Sequence, residues 1–99
     1  MNLNDIAVVE NEGARQFEMR INGKLAKVEY MMGGGRMFLT NVDVPAQLEG
    51  KGVDQALVER VFEIIADRKL KMVPLCAYVT TFMRQHPQWK KLLAHGIHV

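Results

Sequence analysis

The hydrophobic period of this chain changes once, and the change falls on a glycine-rich joint. Before Pro45 apolar residues alternate with polar ones, and after Gly52 they recur three and four residues apart. A period of two lines one face of a strand, and a period near 3.6 lines one stripe of a helix. The chain is therefore expected to build a sheet first and then lay helices on it.

The strand half reads in detail. Ile6–Val9 is a short apolar run closed by the turn residues Asn11, Glu12 and Gly13. Phe17, Met19 and Ile21 then alternate with Glu18 and Arg20. Asn22-Gly23 is the strongest short hairpin signal, since both residues tolerate positive φ. A third strand is expected over 24–32, a turn at Gly33-Gly34-Gly35, and a fourth strand over 37–44, stopped by Pro45. Consecutive strands with tight turns imply an antiparallel meander.

Beyond the joint, Val53, Ala56, Leu57, Val61, Ile64 and Ile65 mark an amphipathic helix. A fifth strand over 70–76 contains Pro74, which lacks an amide hydrogen and so belongs at an edge or where strands part. A helix over 77–85 ends at His86-Pro87, and a third helix is expected over 88–94. The order ββββ-α-β-α-α is an α+β, or mixed α/β, arrangement with helices packed on one sheet.

Size and composition narrow the function classes. The 99 residues make one domain, expected over 1–99, and leave no room for separate cofactor and substrate domains. Cys76 is the single cysteine, so a disulfide scaffold is excluded. No apolar run reaches the roughly 18–20 residues of a membrane span, and the N-terminus does not read as a secretion signal, so a cytoplasmic setting is expected. Up to Arg68 the chain carries 8 basic and all 11 acidic residues, and from Lys69 onward 5 basic and none acidic. An anionic partner near that basic third is one reading and a solvated face the other. Trp89 stands alone beside Lys90 and Lys91, which argues against a nucleic-acid platform. The seven methionines read as gap-filling core residues. His95 and His98 have no ligand-spaced partners, so no metal is expected.

The joint itself carries the chemistry. Gly50-Lys51-Gly52 lies between a strand and a helix. Glycines let backbone approach an anion, and the helix N-terminus offers free amides and a positive dipole end. This is a phosphate or pyrophosphate cradle, although it lacks the spacing of a Walker loop or a dinucleotide fingerprint.

Several ordered motifs extend the reading. Leu39-Thr40-Asn41-Val42-Asp43-Val44-Pro45 precedes Gln47-Leu48-Glu49-Gly50-Lys51-Gly52-Val53, and Pro74-Leu75-Cys76 and Arg84-Gln85-His86-Pro87-Gln88-Trp89 follow. Together, over about 17–89, they resemble the GNAT superfamily of N-acetyltransferases, and most closely its short single-domain (YjdJ-type) branch. The resemblance implies a GNAT-like fold of reduced length, with acetyl-CoA as co-substrate in a cleft where the fourth and fifth strands part. The backbone of Val42 to Val44 would pair with the pantetheine arm. The amides of Gly50, Lys51, Gly52 and Val53 would hold the pyrophosphate. Asp43 would orient or deprotonate an attacking primary amine, and Cys76 would serve as a thiol acid or acetyl carrier. The acceptor would be a small amine or a protein lysine, and the chain a monomer or homodimer.

The chain also departs from the pattern. Glu49 replaces an arginine before the first loop glycine, Asp54 a small residue at the helix start, and Asn41 a frequent histidine. Phe82 stands where many members carry a tyrosine acid, with Tyr78 one turn earlier. These departures keep open a second reading, a catalytically degenerate CoA-binding or interaction module. His86 is expected as a cap or surface residue rather than a base. The basic third is expected to offset Glu49 and Asp54 if the fold brings it to the loop.

Overall fold

A computed structural model describes residues 2–99. Its sheet has five strands in sequence order: β1 (Val9–Asn11), β2 (Gln16–Ile21), β3 (Lys24–Gly33), β4 (Arg36–Asp43) and β5 (Lys71–Pro74). The first four run antiparallel, as the meander requires. β5 lies parallel to β4 at the edge, reached through α1 (Val53–Asp67). α2 (Ala77–Gln85) follows directly.

Three expectations shift. The first strand is Val9–Asn11, not 6–9. Its register is set by the hairpin, where Asn11 Oδ1 accepts the Ala14 amide at 3.1 Å and Arg15 takes φ 55°. Ile6 and Val8 are apolar because they pack on the rim of the core, after a 3-10 turn at Leu3–Asp5. The fifth strand stops at Pro74 rather than Cys76, since the proline cannot extend the ladder. The last helix is a 3-10 segment, Pro87–Leu92.

One face of the sheet is the core face. Phe17, Met19, Val28, Met37 and Leu39 meet Leu57, Val58, Val61, Phe62 and Ile65 of α1, all fully or almost fully buried. α2 adds Val79, Phe82 and Met83 beside α1, and Phe62 meets both Phe82 and Trp89 edge-on. Met19, Met37, Met72 and Met83 fill this core as expected, whereas Met31 and Met32 are exposed and Met1 lies outside the described residues.

The rim near β1 is tied to the far end of α1. Arg68 bonds the Glu10 carboxylate at 2.6 Å, and the Tyr30 hydroxyl donates to the same carboxylate. Arg68 holds the Glu10 carboxyl below its ordinary value, and burial, with Glu10, pushes the Tyr30 phenol up to about 12.

Candidate active site

β4 and β5 pair only part of the way. Their register runs from Arg36 opposite Lys71 to Leu39 opposite Pro74, and the Leu75 amide makes the last bond, to the Leu39 carbonyl at 2.9 Å. β4 continues to Asp43 without a partner on that side. A gap opens where the proline ends β5.

A bulge stands where this gap begins, and the pairing with β3 beyond it decides what faces the gap. Glu29 pairs with Asn41 but Tyr30 with Leu39, so Thr40 is an extra residue on β4. The Tyr30 amide bonds the Arg15 carbonyl on the β2 side. Hydrogen-bonding direction alternates along a strand, so Glu29 and Lys27 turn toward β4 and engage Asn41 and Asp43. The amide and carbonyl of Val42 are therefore left pointing into the gap, and the same alternation carries on to Val44. Both valine side chains pack against the core.

Beside this free backbone lies a cleft of about 360 Å³. Val42, Val44 and Leu48 give it an apolar wall, Gly50 a stretch of bare backbone, and Asp43, Glu49 and Asp54 three carboxylates. Tyr78, from the first turn of α2, closes it. Burial pushes the Tyr78 phenol up to about 12, helped by the charge and acceptor oxygens of Asp54. No well-formed hydrogen bond joins the two among the described residues, so Asp54 acts on Tyr78 chiefly as a nearby charge.

The joint takes the expected shape. Gly50 and Gly52 have φ of 76° and 77°, and Gly52 caps α1 without a side chain in the way. Within the first turn the Ala56 amide bonds the Gly52 carbonyl, and the Gln55 amide bonds Asp54 Oδ1 at 2.9 Å. The Val53 and Asp54 amides have no partner among the described residues. Lys51 is exposed and Val53 is buried, so only backbone can serve an anion at Val53.

Val42, Asp43, Val44 and Gly50 thus meet at one cleft, whereas Lys51, Gly52 and Val53 do not line it, Gly52 facing the hollow beside Leu3 and Gln55. Cys76 does not line the cleft. It is half-buried against the core as the N-cap of α2, one residue past the last β4–β5 bond. Tyr78 is a cleft residue in its own right. Phe82 is buried and stacked on His86 at 4.1 Å, so it has no access to the cleft. His86 Nδ1 lies 3.0 Å from the Phe82 carbonyl at the end of α2, a capping position. Among the basic residues, Lys69, Lys71 and Lys91 group with Ala66 at the C-terminal end of α1. A 15-residue helix puts them roughly 20 Å from the Gly50–Gly52 loop, so they do not offset Glu49 and Asp54.

Four antiparallel strands, a fifth parallel to the fourth, and a glycine joint leading into a helix beside the gap between them define a GNAT-like fold. A family model described as GCN5-related N-acetyl-transferase matches residues 16–92. The chain belongs to that family. The NMR solution structure of a GCN5-like N-acetyltransferase candidate from Staphylococcus aureus superposes with a TM-score of 0.68. The two chains are 20% identical, and the match covers 93% of this chain and 94% of that one. No helix is long and apolar enough to cross a membrane among the described residues.

Proposed function

We propose that this protein is an acetyl-CoA-dependent N-acetyltransferase working in the cytoplasm, with the β4–β5 gap as its active site. The observation that carries this reading is the free Val42 backbone beside the Gly50–Gly52 loop. An extended pantetheine arm bears amides that can add to β4 as a further strand would. The pyrophosphate then meets the unpartnered Val53 and Asp54 amides and the positive end of α1.

The reaction needs three proton and charge movements. A neutral amine attacks the thioester carbonyl, forming a C–N bond. The C–S bond breaks and sulfur takes a proton. The attacking nitrogen loses its surplus proton, which Asp43 at the cleft mouth accepts through water. Tyr78 supplies the proton to sulfur: a phenol pushed up to about 12 stays protonated at neutral pH and is available as an acid. Cys76, just beyond the strand gap, is the residue for a two-step route through an acetyl-thioester.

Calorimetry with acetyl-CoA and CoA tests the reading. Binding in the micromolar to millimolar range is expected, and no binding at millimolar ligand overturns it. Mass spectrometry after mixing with acetyl-CoA separates the routes, because only the two-step route leaves an acetyl group on Cys76. CoA binding with no transfer to any amine favours the degenerate module, which the carboxylates of Glu49 and Asp54 beside the joint also favour.

A further inference from the structure

The lysines at the far end of α1 are left without a use by the cleft. Lys69, Lys71 and Lys91 line one hollow of about 420 Å³, with Ala66, Leu70 and Leu92 as its apolar part. No carboxylate lines it, and none of the three lysines joins an ion pair among the described residues. Arg36 lies opposite Lys71 in the β4–β5 register and adds a further cation at that end.

Backbone bonds bring the three lysines together from three elements. α1 ends in a paired cap, in which the Lys69 amide bonds the Ala66 carbonyl at 3.0 Å and the Leu70 amide the Ile65 carbonyl at 3.1 Å. The residue that makes this turn is Lys69, at φ 57°. Glycine is the ordinary residue there, because a side chain meets a steric cost in the left-handed conformation. Lys71 opens β5, and its Nζ donates to the Lys91 carbonyl at 3.0 Å. The Ala94 amide bonds the Met72 carbonyl at 2.9 Å and seats the segment carrying Lys91 beside β5.

The helix end accounts for only part of this charge. It carries about half a negative charge, and Asp67, on the last turn, one more. Three ammoniums exceed both, and like charges gathered without counter-charges oppose folding. We propose that the hollow binds a diphosphate group, free or carried by a nucleotide. Ammoniums are compact point charges that suit phosphoryl oxygens, whereas a planar carboxylate is matched by a guanidinium fork, and no arginine lines the hollow. Leu70 and Leu92 offer a nucleoside an apolar surface. The length of α1 puts the site roughly 20 Å from the Gly50–Gly52 loop, so it is separate from the cleft and does not rest on the acetyl-transfer reading.

NMR titration of the full chain at low salt, with and without saturating CoA, tests this. The probes are inorganic pyrophosphate, ADP and citrate, a tricarboxylate of comparable charge. Pyrophosphate should move the amides of Lys69, Leu70, Lys71, Lys91 and Leu92 together and saturably, with a Kd below about 1 mM, whether or not CoA is present. Citrate should bind at least about fivefold more weakly. ADP binding no tighter than pyrophosphate assigns recognition to the diphosphate alone, and tighter ADP binding adds the nucleoside. Lys91→Gln should weaken pyrophosphate binding about fivefold. Lys69→Gly should weaken it similarly yet raise the melting temperature by a few degrees, since glycine suits φ 57°. Shifts confined to residues 50–54, or loss of the lysine shifts when CoA is added, overturn the proposal. So do citrate binding as tight as pyrophosphate, affinity unchanged in both variants, or no saturable shift at about 10 mM pyrophosphate.

Discussion

Replacing Asp54 with asparagine should move stability and ligand affinity in opposite directions. Asp54 sits in the first turn of α1, accepts the Gln55 amide, and lines the cleft. Its negative charge favours the helix dipole, worth about 0.5 kcal/mol at a partly exposed site. Losing it should lower the melting temperature by roughly 2–4 °C for a chain this size. The same charge opposes an anion at the joint. Unit charges about 6 Å apart at an effective dielectric near 40 repel by roughly 1.4 kcal/mol, a factor of ten. Solvent and salt screening bring this to about threefold. Asp54→Asn should therefore bind CoA about three- to tenfold tighter at low salt, and the gain should shrink as salt rises. Asparagine can still accept the Gln55 amide, so the first turn is kept. Calorimetry at two salt concentrations, with thermal melts of both proteins, reads the two effects separately. Weaker CoA binding by the variant refutes the placement of the pyrophosphate at the joint. A gain that persists at high salt refutes its electrostatic origin.

Two further outcomes follow from named side chains. Tyr78→Phe should lower the acetyl-transfer rate by about 10²-fold and leave CoA affinity unchanged in single-turnover and binding assays. In the wild type the Tyr78 phenol, pushed up to about 12, should not by itself reduce the rate at any pH up to about 10. Glu10→Gln should cost about 1 kcal/mol at neutral pH, because it removes one partner of a partly exposed ion pair that ties β1 to α1. The Glu10 carboxyl is held below its ordinary 4.5, so its contribution is full above that value and fades as pH falls through the lowered one. Melts of wild type and variant should converge in acid.

Most of the fold was legible because its signals are local. Alternation placed β2 to β4, the 3.6-residue stripe placed α1, and Asn22-Gly23 and Pro45 punctuated them. β1 was displaced because the apolar residues before it serve the core rim, while a polar turn sets its ladder. The bulge carries no turn residue, and the sequence marks it only by phase. Apolar residues at 37 and 39 and then at 42 and 44 switch from odd to even, a phase slip that only an extra residue explains. Of the candidate site, the joint and the end of β4 were readable from glycine and proline positions. Tyr78 was harder to place, because Phe82 and Tyr78 sit one turn apart on the same helix. Only packing shows that the phenylalanine is enclosed and the tyrosine faces the cleft.

The extra residue at Thr40 shifts the numbering of β4 by one without shifting its faces. Ahead of it, odd-numbered residues look into the core; after it, even-numbered ones do. Deleting Thr40 would heal the bulge: Leu39, Asn41, Val42 and Asp43 would follow Tyr30, Glu29, Val28 and Lys27 in unbroken alternation, with Val42 still inward and Asp43 still on the open face. What the strand would lose is the bend and added twist of the bulge, just where β4 leaves β5. Position 40 therefore shapes the path of β4 at the cleft, while the pairing with β3 decides which side chains and amides face it.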